Sequence, residues 1–245
     1  MELICQLEPY ILNEKNMSIY LKYKFKDHFI NDKKNNNIEQ QTNFNTKNKL
    51  FIPPEEDSLF WCYYIIKNGD IKYEMLNNKN NLIAKQLKID YIKSIRDNKQ
   101  IVKSYKFDTI SNIESNLAND MNINIKTIMT LCVIEKINLI FINKKTYFEL
   151  LMNDSNNIYV IDEIQVNTKY NKKYGFELAS NETLNEIKNL LYKLDSLDKP
   201  IKSISLYKVP DLINIANKLA IEVINKQTGK NKTKNELYEL IVKYF

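Results

Sequence analysis

The chain has 245 residues, 44% of them hydrophobic and 27% charged, with a formal net charge of +6. That length and apolar content suffice for one sizeable core, alone or with a small satellite domain. The apolar runs, LFWCYYII at 59–66 among them, fall far short of the ~20 residues a membrane span requires, so membrane insertion is not expected.

Cys5, Cys62 and Cys132 stand at wide, unequal spacings without a CxxC pair, which argues against a disulfide scaffold and a structural zinc site. The first residues, MELICQLEPY, place an acid ahead of the apolar patch and show no small-residue cleavage site, so an intracellular protein is expected. There are 35 asparagines, 35 lysines, three glycines and one arginine, Arg96. Such usage is that of an AT-rich coding sequence, and it makes the net charge a weak sign of a polyanionic partner. Scarce arginine also removes the side chain best suited to bidentate recognition of phosphate or guanine.

In chain order, residues 18–25 (SIYLKYKF) alternate as a strand does, and 31–49 form a polar, lysine-rich loop. Pro53 and Pro54 then restrict the approach to a helix over 59–67, capped by Asp57 or Ser58 and stopped by Asn68 and Gly69. Its aromatic and aliphatic content implies burial on most sides. Residues 82–97 space Ile83, Leu87, Tyr91 and Ile95 four apart, an amphipathic helix, and further helices are expected at 110–119 and 126–136. Residues 137–152 read as two strands joined at 143–145, and 157–165 as a third. A lysine- and tyrosine-rich turn at 167–178 closes this α+β core, followed by a helix over 181–194. Pro200 and its polar surroundings, 196–203, mark a boundary between a core domain (1–196) and a small C-terminal unit (203–245).

In that unit, Pro210 and Asp211 suit the first turn of a helix ending near Leu219, and Thr233 with Glu236 forms a capping box for a second. Between them lies a basic run from Lys226 to Lys234. From Asp198 onward there are nine lysines against five acids, so +4 of the net +6 is concentrated here. The pattern, with LINIANKLAI and GKNKTKNELYELI, resembles the SAP and Rho N-terminal-like families of nucleic-acid-binding modules. The resemblance covers 206–245 and implies DNA or RNA contact through Lys226, Lys230, Lys232 and Lys234. A helix N-terminus flanked by ammonium groups can hold phosphate, with salt-dependent affinity and little sequence discrimination. A helical packing unit whose lysines only solvate a turn, or one that recognises protein, would show the same pattern.

PPEEDSLFWCYYIIKNG (53–69) carries the second chemical signal. A thiol at the start of a buried helix behind a polar turn is the arrangement of papain-like and OTU-like cysteine proteases, which residues 50–178 resemble in layout. The resemblance implies helices packed on a small sheet and a site drawing on Cys62, His28 and Asp57. The departures are large. In the Asp57-Ser58-Leu59-Phe60 cluster, Ser58 and Leu59 occupy the positions of the family's cluster and Cys62 comes later. No histidine follows His28, and the segment where the base is expected, 167–177, offers Tyr170, Tyr174 and Glu177. Among Trp61, Tyr63, Tyr64 and Ile65, Cys62 reads better as a core thiol.

No glycine-rich phosphate loop exists, and Asp154, Asp162 and Glu163 match no strong metal motif and are expected to line a solvated edge. No cofactor or metal is implied. Composition and fragments such as DSLFWCYYI resemble proteins of large double-stranded DNA viruses of protists. That implies a nucleic-acid-associated protein of the host cytoplasm, viral factory or virion; a cysteine protease or deubiquitinase acting on ubiquitin-like proteins, and a capsid or assembly protein binding other viral structural proteins, are the alternatives.

Overall fold

The computed structural model describes residues 50–76, 79–154, 157–165, 172–225 and 229–245. The strand expected at 18–25, the polar segment at 31–49, and Cys5, His28, Tyr170 and Lys226 lie outside the described residues.

Helix α1 (Ser58–Asn68) is the centre of the core. Its N-terminus is fixed by Asp57, whose carboxylate accepts the Phe60 N–H at 3.2 Å, and Gly69 ends it at φ 85° with its N–H on the Ile65 carbonyl. Every position from Ser58 to Ile65 is buried, so the helix is covered all round, as its uniformly apolar sequence requires. Around it stand α2 (Asp70–Met75), α3 (Asn81–Asp97), α4 (Lys99–Tyr105), α5 (Ile110–Asn119) and α6 (Ile125–Glu135). Asn80, Thr109 and Asn124 cap α3, α5 and α6 through side-chain oxygens.

After α6, Lys136 takes the left-handed conformation and the chain turns into the sheet. β1 (Asn138–Asn143) and β2 (Thr146–Leu150) form a hairpin; β3 (Ile158–Gln165) lies parallel to β1, and β4 (Lys172–Leu178) antiparallel to β3. With the two-residue β5 (Tyr192–Lys193), the order is β4-β3-β1-β2-β5. Period-two alternation divides the sheet between two cores. Leu139, Phe141, Ile161 and Phe176 face α1 and its neighbours, whereas Ile140, Ile142 and Val160 pack against Ile187 and Leu191 of the segment containing α7 (Asn181–Leu190). The fold is thus mixed α+β, with helices packed on a five-stranded sheet.

Two sequence expectations require correction. The turn expected over 167–178 is a strand from Lys172 onward: Tyr174 and Phe176 point into the core, and lysines at the solvated end of the segment hide the alternation. The helix expected over 181–194 ends at Leu190. Leu191 is extended, and the Tyr192 and Leu194 N–H groups bond to the carbonyls of Lys145 and Tyr147, so pairing with β2 replaces the last helical turn.

The C-terminal residues form α8 (Val209–Lys218), an extended stretch, and α9 (Lys234–Tyr244) around a third cluster of Leu212, Ile215, Ala216, Leu219, Leu237 and Ile241. Contacts tie it to the core. The Tyr244 hydroxyl accepts the Lys145 N–H at 3.2 Å, and Lys218 Nζ donates to the Leu191 carbonyl at 3.2 Å.

Candidate functional site

The buried start of α1 carries polar groups that the core must satisfy. Ser58, 1% exposed, accepts the Tyr174 N–H of β4 on its Oγ at 2.9 Å. One turn further along the same helix face, Cys62 donates to the Tyr174 carbonyl at 3.5 Å. Both polar groups of one β4 residue are thereby held by α1. The described part of the segment where a protease base is expected, from Lys172 onward, therefore does come to the helix, and at Tyr174 it presents backbone to Ser58 and Cys62.

Cys62 is fully buried, and desolvation, helped by the carboxylates of Asp57 and Glu55, pushes its thiol well above the ordinary value. A nucleophile needs the opposite, because the thiolate is the reactive form. His28 lies outside the described residues, which contain no histidine. Asp57 is engaged elsewhere: besides capping Phe60, it accepts the Ile123 N–H at 3.1 Å and pairs with Lys88 Nζ at 2.7 Å. Burial raises the Asp57 pKa, while the Lys88 ammonium and the two backbone N–H donors pull it back. Lys88 also donates to the Met121 carbonyl at 3.0 Å. This pair locks the α1 entrance to α3 and to the segment before α6. Lys88 was missed at the sequence level, although a lysine on the face that carries Ala84, Tyr91, Ile92 and Ile95 was the available signal.

Asp162 and Glu163 do not line a solvated edge. Glu163 points towards α1, accepts the Tyr174 hydroxyl at 3.3 Å and pairs with Lys172 at 3.0 Å. Asp162, facing the other side between Ile142 and Gly175, has its pKa raised to about 7 by burial, with the negative charges of Glu163 and Glu177 adding to the effect. Among the described residues, no group of three or more His, Cys, Asp or Glu side chains could hold a metal ion. Nor is any described helix long and apolar enough to cross a membrane.

The basic run of the C-terminal unit folds back on itself. Ile224 pairs with Asn231, the Asn225 N–H donates to the Lys230 carbonyl at 2.9 Å, and Gly229 closes the turn at φ 66°, where a side chain would be strained. Lys230 is exposed at this turn. Lys232 is partly buried and its Nζ donates to the Glu222 carbonyl at 2.5 Å, so this lysine also braces the turn. Lys234 opens α9 and is half-buried. The capping box is present: Thr233 Oγ1 accepts the Glu236 N–H, and the Glu236 carboxylate accepts from the Thr233 N–H at 2.7 Å and from its hydroxyl at 2.9 Å. These bonds hold the Glu236 carboxyl below its ordinary pKa. An internal carboxylate thus already occupies the positive end of α9, the position at which the sequence pattern suggests a phosphate.

The fold and these sites define a mixed α+β protein with a lysine-bearing helical unit at its C-terminus. No family profile, curated protein or solved structure gives a significant match to the chain.

Proposed function

We propose that the chain is a non-enzymatic, nucleic-acid-associated protein of a large double-stranded DNA virus, in the viral factory or the virion, that holds the phosphate backbone through its C-terminal unit. One observation carries the reading. Lys230 is exposed before α9, Lys234 opens that helix half-buried, and residues 223–235 contain four lysines and no acid. A lysine-rich stretch whose nearest carboxylate, Glu236, is tied up in its own capping box suits a polyanion, and flexible ammonium groups suit phosphate oxygens more than base edges.

We read the mixed α+β core as related to papain-like or OTU-like domains, with Ser58 at the helix start and Cys62 sealed one turn further in. Such a core serves as a scaffold for a SAP-like module. Binding of the intact chain to a DNA and an RNA oligonucleotide, measured at 50 and 200 mM salt, tests the proposal. With about four phosphate contacts the affinity falls ~100-fold between the two, and Lys230→Glu with Lys234→Glu removes most of it. Salt-independent binding, or binding unchanged by the charge reversals, would refute it.

A further inference from the structure

A cleft of ≈ 300 Å³ opens between the end of α4, strand β2 and the segment leading to the C-terminal unit, lined by Tyr105, Lys106, Phe107, Phe148, Leu150 and residues 195–198. Its walls are aromatic. The Tyr105 and Phe107 rings lie 6.1 Å apart with planes only 24° from parallel, and Phe148 meets Phe107 edge-on at 6.0 Å. Tyr105 is 43% exposed, so part of its ring is open to solvent.

The charges at the cleft have a definite balance. Its two carboxylates are paired with the protein's own lysines, Asp195 with Lys202 at 2.7 Å and Asp198 with Lys126. Lys106 stands exposed on the rim in the left-handed conformation that ends α4. An aromatic wall beside internally neutralised acids and an exposed ammonium suits a flat, aromatic group attached to an anion. A cationic ligand would have to displace Lys202 or Lys126.

The cleft wall is also tied to α9. Lys234 and Tyr238 lie one turn apart on α9, the Tyr238 hydroxyl donates to the Lys202 carbonyl at 3.0 Å, and the Lys202 ammonium reaches Asp195 on the cleft wall.

Resting on the nucleic-acid reading above, we infer that the substrate is single-stranded, with one base stacked against Tyr105 and Phe107 and the adjoining phosphate at Lys106. In a duplex the bases are paired and stacked internally, and none reaches such a cleft without being extruded. Every base offers a π-face, so the site selects single strands without selecting sequence.

The test uses the full chain, a single-stranded DNA oligonucleotide carrying 2-aminopurine, and its duplex. The single strand binds tighter and its fluorescence is quenched on binding. Tyr105→Ala weakens the single strand about tenfold and abolishes the quench while leaving duplex affinity unchanged; Tyr105→Phe retains both. Lys230→Glu with Lys234→Glu weakens both forms. Equal affinity for the two forms, or single-strand binding indifferent to Tyr105→Ala, overturns the cleft assignment and leaves the phosphate-binding reading standing. Binding of neither form ends both, and leaves the cleft to an apolar side chain of a protein partner.

Discussion

Asp57 and Lys88 form an ion pair at 2.7 Å in which both side chains are almost wholly buried, at 6% and 5% exposed. The pair joins α1 to α3 through charge, whereas the elements around it are joined by apolar packing. Its remaining hydrogen-bonding capacity is met by backbone: Phe60 and Ile123 donate to the carboxylate, and Met121 accepts from the ammonium.

Removal of one partner leaves the other charged and buried. Lys88→Met is expected to cost ~3–5 kcal/mol in chemical denaturation. Asp57→Asn with Lys88→Met costs less than that single change, because no buried charge remains and the amide oxygen still caps Phe60, while the Ile123 N–H loses its acceptor and keeps the double change from being neutral. A Lys88→Met loss below ~1 kcal/mol would show that the pair is solvated in the native state.

Tyr63 presents the opposite case. It is fully buried, packs edge-on against Tyr91 at 5.3 Å, and its hydroxyl has no hydrogen-bond partner among the described residues. An unsatisfied buried hydroxyl costs ~1–3 kcal/mol, so Tyr63→Phe should leave stability unchanged or raise it by about 1 kcal/mol. A substantial loss in the same denaturation experiment would mean that the hydroxyl is partnered.

The pH dependence of stability should carry the mark of Asp162. Its pKa rises from 3.8 to about 7 on folding, so between those values the native chain keeps a proton that the unfolded chain has released. The contribution is therefore full below about pH 4 and is lost as pH rises through 7, by at most ~4 kcal/mol. Glu177, also raised by burial, acts with the same sign. Urea unfolding of the wild type and of Asp162→Asn at pH 5 and 7.5 is the check: the variant gains on the wild type at the higher pH. A difference independent of pH would place the Asp162 carboxylate in water.

These groups also mark where the sequence stops being informative. A cap at Asp57 or Ser58, of which Asp57 proves to be the one, Gly69 as the stop, the hairpin joined at 143–145 and the Thr233–Glu236 capping box were all legible, because each depends on residues within four positions of one another. β4 was not, since its inward residues Tyr174 and Phe176 are identified by packing against α1, which lies far away in sequence, with Ser58 116 residues before Tyr174. The same holds for the sites. Lys230 and Lys234 are candidates that composition alone puts forward, whereas the engagement of Lys232 with Glu222, the Lys88 pair and the convergence of Tyr105 with Phe148 depend on tertiary contacts.

The entrance to α1 depends on one close approach. Phe51 exchanges two 2.9 Å backbone hydrogen bonds with Phe176, which adds residues 50–52 to the sheet beside β4 and sets the direction of the chain as it enters Pro53 and Asp57. Gly175 makes this approach possible. A Cβ there would meet Ile52 Cγ1 at 3.0 Å, with Ile164 Cδ1 and Leu50 Cβ at 3.3 Å. Ile52 is partly exposed and its side chain can yield, but Leu50 Cβ moves only with its backbone. Gly175→Ala is accordingly expected to cost about 1 kcal/mol and Gly175→Val ~2–3 kcal/mol, as overpacking does elsewhere. The loss should be local as well as global: in hydrogen exchange, the Phe51 and Phe176 amides lose protection in Gly175→Val before those of β1 do. Uniform loss of protection across the sheet would mean that the 50–52 segment opens only with the whole domain.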